Sequence, residues 1–236
     1  LTRGARAAAV GRFRETPATF YGEPAGTDSF PGSAAMTRIV AMYIDRLRPA
    51  FRPWNSTNSG NNGGWLFQWD DAPRWVGGIS DGAGNAFSAT VTRTPVLHTI
   101  EIVSLSFDGT TITTKVRGLT EGTAVVGTVG FTASGREQQI GVRTTQDDRP
   151  STPVIAALGT DNQALTAAEL ETAMDEIAEN LRQGRALDTG LAVFSPEVYF
   201  DAADVDFLNS EWVDRIGGIT LDQNGQPERF GVSGAL

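Results

Sequence analysis

Four of the five tryptophans fall between Trp54 and Trp75, and the side chains around them are the ones best suited to holding a ligand. An exposed indole gives the C–H face of a sugar ring a flat apolar surface, while nearby amides and carboxylates fix the hydroxyls. Trp54, Trp65, Trp69 and Trp75, with Asn61, Asn62 and Asp71, have the chemistry of such a shelf. The same residues support a competing reading. Trp65, Phe67 and Trp69 recur at every second position, so a strand would turn them to one side and into a packed core. Asp70, Asp81 and Asn85, with Asp71, are candidate ligands for calcium, which takes about six to eight oxygens. The segment 81–85 (DGAGN) nevertheless carries few acids for a strong calcium loop. Asp201, Asp204 and Asp206 form a second acidic group, for which an exposed turn is the stronger reading.

Other chemistries are excluded or unsupported. The chain has no cysteine, which removes disulfides, thiolate metal sites and thiol nucleophiles. Its one histidine is His98, so a histidine-rich metal centre cannot form and a Ser-His-Asp triad would have to use that residue. At the start of a strand, His98 reads as structural. Glycoside hydrolysis needs two carboxylates flanking the scissile bond, and no strand carries an E-x-D-x-E alternation. Glu169, Glu171, Asp175 and Glu176 are close together but belong to a helix. There is no phosphate-binding or dinucleotide-binding glycine motif. The expectation is a protein without catalytic residues and without a cofactor, calcium aside.

Charge narrows the partners. Nineteen basic residues stand against 28 acidic ones, a net of −9, the wrong balance for contacting phosphate backbones. Eighteen of the basic residues are arginine and only Lys115 is lysine. Apolar runs are short, as at 39–44, so no helix is expected to span a membrane. The chain opens at Leu1 rather than Met, which leaves room for processing or for sequence upstream.

These residues have to be positioned by strands. Residues 37–47 alternate with both faces apolar at first, as in a central strand covered on both sides. Residues 55–64 (NSTNSGNNGG) hold nothing that packs a core and read as a loop. Two short strands, 65–69 and 75–79, follow around a DDAP turn, then 86–92 and 99–107. Asp108-Gly109 supplies the positive backbone angles of a tight hairpin into 110–116. Further strand-like runs are 124–131, 138–143, 153–158 and 198–200. Residues 165–184 break the pattern. Thr166 and Glu169 form a capping box, Leu165 and Leu170 a hydrophobic staple, and Leu170, Met174, Ile177 and Leu181 one apolar face. Such a helix must lie on the outside or rim of the sheets.

In their order, these segments resemble the concanavalin A-like, laminin-G-like jelly roll. The carrying stretches are 36–49 (MTRIVAMYIDRLRP), 63–69 (GGWLFQW), 74–90 (RWVGGISDGAGNAFSAT), 98–118 (HTIEIVSLSFDGTTITTKVRG), 136–143 (REQQIGVR) and, most specific, 153–181 with its closing strand, loop and capped helix. The resemblance implies an all-β, antiparallel two-sheet jelly-roll sandwich over residues 18–183 with one C-terminal amphipathic helix. A basic arm over 1–17 and an irregular extension over 184–236 would flank it. Residues 197–227 (EVYFDAADVDFLNSEWVDRIGGITLDQNGQP) are similar to segments beside such domains in tailed-bacteriophage and gene-transfer-agent virion proteins. That implies a virion structural protein in an oligomeric assembly, held to other virion proteins through arm and extension and able to bind host-surface polysaccharide. A polysaccharide-processing enzyme on the same fold and a free secreted lectin are the alternatives.

Overall fold

The computed structural model describes residues 9–12, 20–22, 35–44, 51–55, 64–70, 72–80, 85–126, 139–140, 154–161, 163–183, 185, 190–195, 198–201, 205–206, 211–213, 220–224 and 228–231. Among them the chain forms, in order, β1 (Ala9–Arg12), β2 (Phe20–Gly22), β3 (Met36–Ile44), β4 (Trp54–Asn55), β5 (Gly64–Asp70), β6 (Arg74–Ser80), β7 (Ala86–Thr92), β8 (Thr99–Phe107), β9 (Thr111–Val116), β10 (Gly122–Val125), β11 (Gln139–Ile140), β12 (Val154–Asp161), α1 (Ala167–Gln183), β13 (Val198–Asp201), β14 (Val205–Asp206), β15 (Glu211–Val213), β16 (Thr220–Asn224) and β17 (Glu228–Gly231). All the pairings are antiparallel.

Two large sheets result. One has the order β10-β9-β8-β3-β12-β13 and the other β14-β15-β16-β2-β11-β4-β5-β6-β7, while β1 and β17 pair separately. This is the two-sheet sandwich with one helix that the sequence implied. The stretch after the helix, expected as an irregular extension, supplies β13 to the first sheet and β14, β15 and β16 to the second. Within the expected basic arm, β1 pairs with β17.

The reason for two layers is visible in β3. Its neighbour β8 runs in full register with it, from Met36 opposite Phe107 to Ile44 opposite Thr99. On the inner face Met36, Val40, Met42 and Ile44 join Val103, Leu105 and Phe107 and the aromatics of β4, β5 and β6 in one core. On the outer face Ile39, Ala41 and Ile102 would meet water, and α1 covers them with Leu170, Ala173, Met174 and Ile177. A strand apolar on both faces thus finds cover on both faces.

Polar groups fix where the helix starts. Thr37 Oγ1 donates to the Gln163 carbonyl at 2.6 Å and accepts from the Leu165 N–H at 2.9 Å. Ser106 Oγ donates to the Leu165 carbonyl at 2.9 Å. The capping box forms as expected, with the Thr166 N–H donating to Glu169 Oε2 at 2.8 Å and the Glu169 N–H to Thr166 Oγ1 at 3.4 Å. The Asp108-Gly109 hairpin also forms. Gly109 takes φ +97°, and Asp108 Oδ1 accepts from the N–H groups of Thr110 and Thr111 at 2.8 and 2.7 Å. Among the described residues no helix is long and apolar enough to cross a membrane.

Candidate functional site

The tryptophan cluster does not form the exposed shelf that its composition allowed. Trp54, Trp65, Trp69 and Trp75 are 0, 1, 7 and 0% exposed. Trp54 meets Trp65 edge-on at 4.7 Å, Phe51 meets Trp75 edge-on at 5.5 Å, and Phe51 stacks with Trp69 at 5.8 Å. The guanidinium of Arg38 lies 4.1 Å from the centre of the Trp65 ring. These indoles are the heart of the core between the sheets. The period-two alternation decides it, because the face of β5 that holds Trp65, Phe67 and Trp69 is the one turned to the opposite sheet. An enclosed ring has no face to offer a sugar.

The described members of the calcium set, Asp70 and Asn85, lie apart. In the β5–β6 hairpin Asp70 pairs with Arg74 at one end and Gly64 with Ser80 at the other. Six residues of strand separate the two ends, about 20 Å at ~3.3 Å per residue. Asp70 therefore cannot share one ion with Asn85, which precedes β7 at the Ser80 end. Asp70 is engaged where it stands: Oδ1 accepts from the Ala72 N–H at 3.2 Å and Oδ2 from Arg74 Nε at 2.6 Å. Asn85 is exposed. Asn61, Asn62, Asp71 and Asp81 lie outside the described residues. Of the second acidic group, Asp201 and Asp206 fall in β13 and β14 and Asp204 lies outside the described residues. Among the described residues no three His, Asp or Glu side chains gather closely enough to hold a metal.

What the fold does build is a cleft of about 370 Å³ between α1 and the outer face of the six-stranded sheet. Its floor is apolar, made by Ile100 and Ile102 of β8 and Ala178 and Leu181 of α1. Two ion pairs stand on its rim. Arg117, just after β9, donates from Nε to Asp175 Oδ1 at 2.7 Å. Within α1, Arg182 donates from Nε and Nη2 to the two oxygens of Glu179 at 2.8 and 2.5 Å. Arg182 and Gln183 hold the Glu179 carboxyl down at about 2.

At the mouth Tyr43 Oη and His98 Nδ1 are 3.3 Å apart. His98 has φ +61°, a left-handed conformation costing a side chain of this kind roughly 1–2 kcal/mol. Its N–H is held by the Ile44 carbonyl at 2.6 Å, and the preceding turn is closed by Thr99 Oγ1 donating to the Val96 carbonyl at 2.8 Å. Backbone strain of this kind collects at functional sites.

Two helix carboxylates tie α1 to its surroundings, Glu171 to the sheet and Glu176 to the segment that follows the helix. Glu171 Oε2 lies 2.9 Å from Lys115 Nζ, and Glu171 Oε1 accepts from the Gly118 N–H at 2.8 Å. Burial pushes the Glu171 carboxyl up, but the bonds from Lys115 and Gly118 and the charges of Lys115 and Arg117 outweigh it, and the net shift is down. Glu176 Oε2 accepts from the Ala192 N–H at 2.9 Å. Sequence reasoning missed the cleft because its residues come from four separate segments. The one available signal was the i, i+4, i+7 spacing of Asp175, Glu179 and Arg182, which reads alone as a solvated stripe.

No family model matches this chain, and no curated protein matches it. Solved structures do. A putative carbohydrate binding protein from Bacteroides ovatus is similar over 98% of this chain and 62% of its own, with a TM-score of 0.63 and 14% identity. A native heptameric SAP-like pentraxin from Limulus polyphemus is similar over 70% of this chain and 79% of its own, with a TM-score of 0.52 and 12% identity. The CBM40 of the Ruminococcus gnavus IT-sialidase, solved bound to α2,3-sialyllactose, is similar over 71% of this chain and 95% of its own, with a TM-score of 0.52 and 9% identity. At such identities the likeness establishes the fold alone, an antiparallel jelly-roll sandwich.

Proposed function

We propose that this protein is a non-enzymatic, carbohydrate-binding jelly roll that serves as a structural component of a virus-like particle. The observation that carries the binding reading is the shared architecture over almost the whole chain with a putative carbohydrate binding protein. The particle setting rests on the sequence resemblance of residues 197–227 to virion proteins. In that setting the sandwich is a rigid mount, and weak sites gain strength by being repeated on one particle. The strands pairing at both chain ends, β1 with β17, lie within the arm and extension assigned to contact other virion proteins.

The binding reading is tested with the purified chain on a glycan array, followed by product analysis of every glycan retained. The expected result is retention of at least one glycan class with no cleavage. A chain that retains nothing, or that turns a glycan over, overturns it. The particle reading is tested by fractionating particles from the source and probing for the chain, which should travel with them.

A further inference from the structure

We infer that the cleft between α1 and the six-stranded sheet is the carbohydrate site, and that its ligand is an uncharged pyranose ring or short neutral oligosaccharide. The inference rests on the carbohydrate-binding reading and assigns it a place and a ligand class. With the four indoles sealed in the core, the shelf expected from composition is unavailable, and the sugar must be met elsewhere.

The cleft has the parts a sugar needs. A pyranose presents an apolar C–H face and a girdle of hydroxyls, each both donor and acceptor. The partly buried Ile100 and Leu181 of the floor accept the apolar face. The girdle needs donors and acceptors side by side, and the two rim pairs supply them: Arg117 beside Asp175, and Arg182 beside Glu179. A guanidinium bonded to a carboxylate through some of its N–H groups retains others for a hydroxyl, and the carboxylate retains free lone pairs. At 46 and 57% side-chain exposure, Arg117 and Asp175 remain open to an incoming ligand. Tyr43 and His98 add a ring pair at the mouth, held together by the 3.3 Å contact. The volume of about 370 Å³ falls within the range of small-ligand sites.

Charge selects the class of glycan. The two arginines and two carboxylates on the rim cancel, so the cleft offers no net cation to an acidic sugar. The chain as a whole carries −9, which repels sialylated and sulfated glycans from a distance. Strain points to the same place. The left-handed residue is His98, on the cleft's edge, and it is the only non-glycine residue with positive φ among the described residues.

The test sets neutral against sialylated and sulfated glycans on the array, and then titrates the best neutral oligosaccharide against three variants. Asp175→Ala removes an exposed acceptor, and the fold should tolerate it. Ala178→Trp fills the cleft from the helix side. Ser88→Ala alters an exposed position of β7 on the far sheet. Retention of neutral glycans, with affinity falling at least about tenfold in Asp175→Ala and Ala178→Trp and unchanged in Ser88→Ala, is the expected result. Thermal unfolding of each variant guards against a folding defect, and the two cleft variants fail by different routes. A chain that retains neutral glycans equally well in both cleft variants overturns the cleft and leaves the binding reading intact. Retention of acidic glycans alone overturns the ligand class. A chain that retains no glycan overturns the binding reading and the cleft with it.

Discussion

Single atoms hold the layers apart and together, and two residues show how narrowly. An ideal Cβ on Gly77 would lie 2.3 Å from Thr114 Oγ1 and 3.0 Å from a methyl of Leu105. At that point β6 approaches the opposite sheet too closely for any side chain. Gly77→Ala should destabilise the protein by about 1–3 kcal/mol through forced displacement of packed neighbours, read as a lower urea midpoint with unchanged slope. Thr37 has the opposite character, a hydroxyl that is fully buried and fully used. Thr37→Val keeps the shape but leaves the Leu165 N–H and the Gln163 carbonyl without this partner. The cost should be about 1–3 kcal/mol, with the loss concentrated at the helix entry. Hydrogen exchange at Leu165 checks this, since faster exchange there than in β3 is the expected pattern. Neither residue stands out in the sequence: a glycine among strand residues and a threonine beside Arg38 have ordinary neighbours, and their importance comes from what the other layer places opposite them.

One helix and one sheet face make the second core, and their joint is both apolar and ionic. Lys115, the single lysine, sits at its centre, with Nζ donating to the Leu119 carbonyl at 2.7 Å and pairing with Glu171 at 2.9 Å. Lys115→Ala leaves Glu171 partly buried with only the Gly118 N–H, and should cost about 2 kcal/mol, whereas Thr166→Ala removes only the cap and should cost about 1 kcal/mol. Thermal unfolding of the two variants ranks them, and a smaller loss for Lys115→Ala than for Thr166→Ala would refute the clamp. The helix itself was legible in the sequence because capping box, staple and apolar stripe are local features, and so was the hairpin at Asp108-Gly109. The clamp was not legible. Glu171 and Lys115 are 56 positions apart, and only the register of β9 under α1 brings them together. The tryptophans failed as a site for the same reason. Their spacing fixes a common face, but whether that face meets a sugar or a second sheet depends on residues far along the chain.

The whole molecule answers to pH through a balance of two opposing effects. At neutral pH the excess of acids gives a net charge of −9, and mild acidification relieves this self-repulsion. Against it stand carboxylates whose ionised forms are bonded in the folded state. Asp108 is held down by the N–H groups of Thr110 and Thr111, against some burial. Glu169 is held down by the backbone and hydroxyl of Thr166, Glu171 by Lys115 and Gly118 in spite of burial, and Glu179 by Arg182 and Gln183, to about 2. A group depressed on folding contributes stability that is fully present above its unfolded value and is lost as pH falls through its folded one. All four shifts have the same sign, so their losses coincide. The urea midpoint should hold level or rise slightly from pH 7 to about 5, as repulsion eases, and then fall steadily from about 4.5 to about 2. Glu179→Gln should shed the most acidic part of that fall and leave the rest. A midpoint at pH 3 equal to that at pH 5 would mean that these four bonds add nothing to the fold, and the clamp and cap would then be geometric contacts without energetic weight.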